Sequence, residues 1–208
     1  MAGLDFPELL LSFLVLIASL TFHEAAHAWA ADRLGDTTAR MLGRLSLNPA
    51  VHIDVVGTIV FPLIALMTGV PLIGWAKPVP VNMRNLREPR RDFAIIALAG
   101  PVSNLVLAVI GAVVVNLLPA GDGVRIGLLE EGLIRFVLIN VLLAVFNMIP
   151  IPPLDGGNVL IGVLPQQMAA VVEQLRSWGF VLLYVLMLSG FLSAITFPVQ
   201  RAILNWLL

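Results

Sequence analysis

The chain has no cysteine, so it can form no disulfide and offer no thiolate to a metal. Charge is also scarce. Asp, Glu, Lys and Arg make up 12% of the 208 residues, about half the roughly 25% of an ordinary soluble domain, which excludes a soluble globular protein. The formal net charge is −1, so there is no basic excess to attract a nucleic-acid partner. No internal repeat or low-complexity tract is present. Histidine occurs three times, at His23, His27 and His52, so any imidazole site must be built from these.

What fills the chain instead is apolar: 59% of residues are hydrophobic, and the mean hydropathy is +0.98. Charge-free runs cover 55–76, 93–121, 136–154, 156–172 and 177–200. Several are long enough to cross about 30 Å of hydrocarbon. The fold class expected is an α-helical polytopic membrane protein in a lipid bilayer: a three-helix core, further hydrophobic segments, and short strands on the cytoplasmic side. The first apolar run lacks a basic n-region and holds chemistry at its far end, so it reads as a retained helix, not a cleaved signal.

Taken in order, a first helix runs from about residue 8 to 34, with Gly35 as its stop signal. Residues 40–48 alternate loosely and suggest a short strand ending at Asn48-Pro49. The segment 50–76 is apolar but broken by Gly57, Pro62, Gly69 and Pro71, which fits a re-entrant or interfacial piece better than a span. Pro-Val-Pro-Val at 78–81 reads as an edge strand or extended loop, because proline cannot donate to a ladder. Core helices are expected at 93–118 and 128–148. Residues 149–157 carry three prolines and two glycines and exclude regular helix. A helix over 166–193 and a short tail after Pro198 complete one membrane-embedded domain, 1–208.

Eight of the twelve basic residues lie between Arg33 and Arg91: Arg33, Arg40, Arg44, Lys77, Arg84, Arg87, Arg90 and Arg91. The positive-inside rule puts that interval in the cytoplasm. Helix 1 then ends inside, the next core helix goes out, Asp122 sits outside, and the third returns inward.

Inside the first helix lies His23-Glu24-Ala25-Ala26-His27. His23 and His27 are one turn apart on one face, so both imidazoles can reach a single metal ion. Glu24 is offset by one residue, placed to act on a metal-bound water without ligating. His-Glu-x-x-His is the zinc metalloprotease signature, with the glutamate as general base. Ionisable groups in a membrane-length helix are costly and usually functional. A tetrahedral catalytic zinc needs a third protein ligand. Asp155 is the only acid between Arg135 and Glu173, in a turn expected at the depth of His27. It is the third ligand expected; an ordinary helix cap before Gly156-Gly157 is the alternative.

Together these motifs resemble the site-2 protease family of intramembrane zinc metalloproteases, in a short form without PDZ or CBS domains. His23-Glu24-x-x-His27, Ala99-Gly100-Pro101-x-x-Asn104 and Asn147-x-x-Pro150-x-Pro152-x-Leu154-Asp155-Gly156-Gly157 match on three separate hydrophobic segments. The resemblance implies one Zn2+ per chain held by His23, His27 and Asp155. It also implies an oxyanion or substrate-positioning role for Asn147, and a place near the site for Asn104. Read without it, the two asparagines pair helices as polar glue. His52 reads as a loop histidine, a supporting partner or an extra ligand.

The function expected is hydrolysis of peptide bonds in transmembrane substrates near the cytoplasmic face of the plasma membrane, with Glu24 and Asn147 catalytic. The substrate, once unwound, would add as a strand to the edge at 75–82. The rivals are a membrane metal transporter and an inactive scaffold of the same fold. A transporter is expected to carry polar groups through both leaflets, whereas these converge near one face; a scaffold would have lost Glu24 or a ligand. Cysteine labelling tests the topology. Positions 44 and 87 should both react from the cytoplasm and 122 from outside; an external 87 would make 55–74 a true span.

Overall fold

The computed structural model describes residues 6–68, 74–118 and 124–208. Its α-helices are α1 (Phe6–Arg33), α2 (Thr38–Met41), α3 (Phe61–Thr68), α4 (Pro89–Leu117), α5 (Val124–Asn147), α6 (Asp155–Val163), α7 (Gln166–Gln174), α8 (Gly179–Leu188) and α9 (Phe191–Leu207). Among the described residues, three stretches are long and apolar enough to cross a membrane: Phe6–Arg33, Pro89–Leu117 and Gln166–Leu188. The protein is accordingly an integral membrane protein. The first half of α5 carries Arg125, Glu130, Glu131 and Arg135. Arg135 answers that charge by pairing with Glu131 at 2.6 Å and with Glu8 of α1 at 3.1 Å. This ties the start of α1 to the middle of α5.

α4 is the hub, packed against α1, α5, α6 and α9. Its polarity is inverted relative to a soluble helix. Val102, Val106, Val109 and Val113 point outward, while Gly100, Asn104, Ala108 and Ala112 are buried. The three-to-four spacing gives one apolar outer stripe, and the small inner residues let helices approach closely, as membrane packing requires. Ala28, Ala30 and Ala31 of α1 and Ala97 of α4 are likewise buried.

The connections expected on the cytoplasmic side differ from the sequence expectation. No strand forms among the described residues. In 40–47, Arg40 and Met41 complete the short α2, and Gly43 turns the chain at φ +69°. Arg44 is buried, and its guanidinium donates to the carbonyls of Lys77 and Pro78 at 2.9 and 3.0 Å. Within 78–81, Pro78 therefore has its carbonyl engaged by an arginine where a strand would have a neighbour, and two of the four nitrogens are prolines. These residues are extended but unpaired.

The described parts of 55–76 pack against each other. A π-turn at Val55–Val60 leads into α3, which ends at Thr68. The chain then comes back: the Trp75 N–H donates to Gly57 O at 3.2 Å, and the Lys77 N–H donates to His52 O at 2.8 Å. Residues 69–73 lie outside the described residues. Asp122 and the hairpin at 119–123 do too.

Two further boundaries move. Helix resumes earlier than expected, at Asp155, so Gly156 and Gly157 are helical. A Cβ on either would strike the backbone of 148–152, which explains glycine there. Pro198 does not end a helix; α9 continues through it to Leu207. The break falls instead at Gly190, whose φ of +76° is left-handed.

α1 ends on Gly35 (φ +109°), with the Asp36 N–H returning to Ala31 O at 2.9 Å, a Schellman stop. The Asp36 side chain then organises the return loop. Its carboxylate accepts from the Thr38 N–H and hydroxyl, the Asn82 N–H at 2.7 Å, and the Asn85 amide at 2.8 Å. Burial pushes its pKa up, but these hydrogen bonds outweigh that and hold it below the ordinary value. Asp36→Ala should lower stability by on the order of 1–3 kcal/mol at neutral pH, read by thermal unfolding in detergent. Because the folded value is depressed, the advantage over the alanine variant should be constant from neutral pH down to about pH 5. It should then shrink below about pH 4, as the carboxylate is protonated. A difference that persists undiminished in acid would contradict this.

Candidate metal centre

α1 and α4 cross with small residues between them, and this brings the two histidines of α1 against α4. His23 and His27 are 3% and 8% exposed. Each turns Nδ1 toward an oxygen of α4: His23 to Asn104 Oδ1 at 2.6 Å, His27 to the Ile96 carbonyl at 2.7 Å. Both acceptors lack a proton, so each Nδ1 donates and Nε2 is the nitrogen left to face a ligand. The two Nε2 atoms converge on Asp155 Oδ2 at 3.0 and 3.4 Å.

Asp155 reaches them because α6 is clamped to α4. Arg90 donates to the carbonyls of Ile161 and Leu164 at 2.8 and 2.5 Å, satisfying the C-terminal end of α6. Gly162 lets α6 lie close to Ala94 and Arg90 of α4. The start of α6 is thereby set beside the imidazoles.

The set fits a metal. One ligand atom from each of His23, His27 and Asp155 lies within 4.8 Å of the others, and among the described residues this is the one such group of three or more His, Cys, Asp or Glu. Two imidazole nitrogens and a carboxylate oxygen suit zinc, and three protein ligands leave a position open for chemistry. A cradle is visible in Gly100, where a Cβ would sit 2.5 Å from both Nε2 atoms. Glycine keeps that space free. Glu24, 8% exposed, follows His23 directly on α1.

The other residues singled out in the sequence fall in different places. Asn104 is fully buried against His23. Asn147 ends α5, and its amide donates to Leu143 O of its own helix at 3.0 Å; no hydrogen bond joins it to the cluster. His52 is buried behind the return loop, and its Nε2 donates to Ser46 O at 2.8 Å. It is not part of the three-residue group. A cavity of about 440 Å³, walled by residues such as Leu105, Met148, Ile149, Leu192 and Ile203, contains none of these side chains and is not the site.

Sequence reasoning missed Ser19 and Asn140, both fully buried beside Asn104. The Asn104 amide donates to Asn140 Oδ1 at 2.8 Å and to Ser19 O at 3.3 Å. The Asn140 amide donates to Ser19 Oγ and to Phe136 O, each at 2.9 Å. One signal was available: Asn140 is the single polar residue between Arg135 and Asn147.

Comparison with known proteins points the same way. The family model for peptidase family M50 matches residues 115–189, which include Asp155. A Bacillus subtilis protein provisionally named zinc metalloprotease YwhC is 38% identical over 205 residues, covering 96% of this chain and 90% of that protein. A Mycolicibacterium smegmatis protein provisionally named zinc metalloprotease Rip2 is 30% identical, over 87% of this chain and 69% of its own. The Mycobacterium tuberculosis protein of the same name is also 30% identical, over 88% and 68%. No solved structure matches the chain.

Two substitutions probe the fit. Asp155→Ala should weaken zinc binding about 10- to 100-fold or more in chelator competition, and Gly100→Ala should do likewise by crowding both Nε2 atoms while helix content is unchanged. Full zinc affinity in both variants would remove this group as the metal centre.

Proposed function

The chain belongs to peptidase family M50, the site-2 proteases, and from that premise we propose that it is a zinc endopeptidase cleaving transmembrane substrates within the membrane, near its cytoplasmic face. The observation that carries this reading is the meeting of His23, His27 and Asp155 within 4.8 Å inside a bundle whose outer surface is apolar. His23 Nε2, His27 Nε2 and the Asp155 carboxylate would hold the ion. Zinc, when bound, supplies Lewis acidity: it makes a coordinated water acidic near neutral pH and polarises the scissile carbonyl.

The remaining work falls to the chain's own side chains. Glu24, on the same helix as both histidines, takes a proton from the attacking water and delivers it to the leaving amine. The Asn147 amide, by analogy with its place in the family motif, is the donor to the developing oxyanion once it leaves Leu143 O. Hydrogen bonds from both Nδ1 atoms keep the imidazoles oriented. The apolar helices exclude bulk water, which strengthens each of these interactions.

The concentration of basic residues on the α1–α4 connection supports a cytoplasmic orientation for the nearby site. A substrate helix hides its carbonyls in its own hydrogen bonds, so it must unwind first. The extended segment 75–82 is the surface for the unwound stretch. Its residues Trp75, Lys77 and Asn82 are anchored through their N–H groups, while Val79 and Val81 still have backbone groups to offer an added strand.

Glu24→Gln separates chemistry from metal binding. It should retain zinc at the wild-type level yet lose at least about 100-fold in cleavage of a test transmembrane substrate. A variant that cleaves at near the wild-type rate would overturn the mechanism.

A further inference from the structure

The two imidazoles are oriented by unequal means. His27 donates to a main-chain carbonyl, Ile96 O, at 2.7 Å; that oxygen can only accept, so its direction needs no second group to fix it. His23 donates to Asn104 Oδ1 at 2.6 Å. A carboxamide has two nearly isosteric ends, and if it turned over it would present an N–H2 to the same ring nitrogen. The proton would then move to Nε2, the atom facing Asp155 at 3.0 Å, where a metal needs a lone pair.

The surroundings decide which end faces His23. Phe136 O is a main-chain carbonyl on α5, and Asn140 Nδ2 lies 2.9 Å from it. The amide of Asn140 must therefore keep its nitrogen there, with a second contact to Ser19 Oγ at 2.9 Å. That leaves Asn140 Oδ1 facing Asn104, where only a donor can meet it, at 2.8 Å. Asn104 is thus held with its nitrogen toward Asn140 and its oxygen toward His23. Its other anchor, Ser19 O, is longer at 3.3 Å. Asn104, Asn140 and Ser19 are each fully buried, so water is not there to replace a lost partner.

We propose that Asn140 is a positioning residue for the metal centre: through Asn104 it selects the Nδ1–H tautomer of His23 and so presents Nε2 as a ligand. This rests on the zinc-centre reading above, and two readouts independent of proteolysis test it. The first is zinc affinity by chelator competition; the second is the tautomer of His23 in metal-free protein carrying Asp155→Ala, where no carboxylate faces Nε2, from nitrogen chemical shifts of histidine labelled with ¹⁵N. Asn140→Leu keeps the volume but removes the acceptor. It should weaken zinc binding about 10- to 100-fold and give His23 a substantial Nε2–H population. Asn140→Asp, buried and protonated, has one O–H for Phe136 O and one C=O for Asn104, so it should stay within about threefold of wild type in affinity.

Should the leucine variant fail to accumulate, Asn140→Ser carries the same expectation. Its hydroxyl can bond back to Phe136 O but is too short to reach Asn104. Unchanged affinity and tautomer in the leucine or serine variant would overturn the proposal, even with a lowered melting temperature. Equal losses in the aspartate and leucine variants would also overturn it, because packing and not amide direction would then be the cause. If Glu24→Gln cleaves normally while Asn140→Leu shifts the tautomer, the catalytic reading fails and this one stands.

Discussion

Two imidazoles set within a membrane-length helix need partners on both nitrogens, and one neighbouring helix must supply half of them. That requirement makes the α1–α4 contact the one on which the rest depends. Asn104 Oδ1 and Ile96 O, the acceptors for His23 and His27, both belong to α4. They come within reach because the facing positions are small: Ala28 and Ala31 on α1, Ala97 and Gly100 on α4. A larger residue at Gly100 would collide with the nitrogens themselves. Close packing and metal-ligand geometry are therefore one constraint. The hydrogen bonds from Asn104 through Asn140 to Phe136 O extend the same logic to α5.

Much of this was legible in the residues, because the informative patterns are local. An i, i+4 pair of histidines with an intervening glutamate is readable along one helix, and the long charge-free runs announce spans regardless of tertiary contacts. Asp155 could be singled out because no other acid stands near it in an apolar stretch. The features that escaped depend on partners distant in sequence. Alternation in 40–47 and Pro-Val-Pro-Val at 78–81 both resemble strands, but a strand exists only if a neighbour pairs with it, and here Arg44 occupies the carbonyls of Lys77 and Pro78. Pro198 looked like a terminator, whereas Gly190 with its left-handed backbone makes the break. Asn140 in an apolar helix could serve any nearby amide; only the assembled bundle shows it facing Asn104.

The segment between α1 and α4 is held by buried charged side chains. Asp36 and Arg44 are 0% and 6% exposed, and each directs its charge to the far side of the loop, at Asn82 and Asn85 or at Lys77 and Pro78. In a chain with so few charged groups, this places two of them where they fix the path of the extended segment leading into α4. Order in the loop is thus coupled to the start of the helix that carries the histidine acceptors.

The Arg90 clamp has a mechanical corollary. By capping the last carbonyls of α6 from α4, it makes those two helices move as one body, and that body carries Asp155, Asn104 and Ile96. The two imidazoles ride on α1, the other body. An ion coordinated by all three side chains would be a rivet through the joint, linking residues 23 and 27 to residue 155 across more than half of the chain. A protein without a single cysteine thereby gains a long-range cross-link that closes on loading and opens on chelation. The metal-free form should then be a looser frame as well as an idle one.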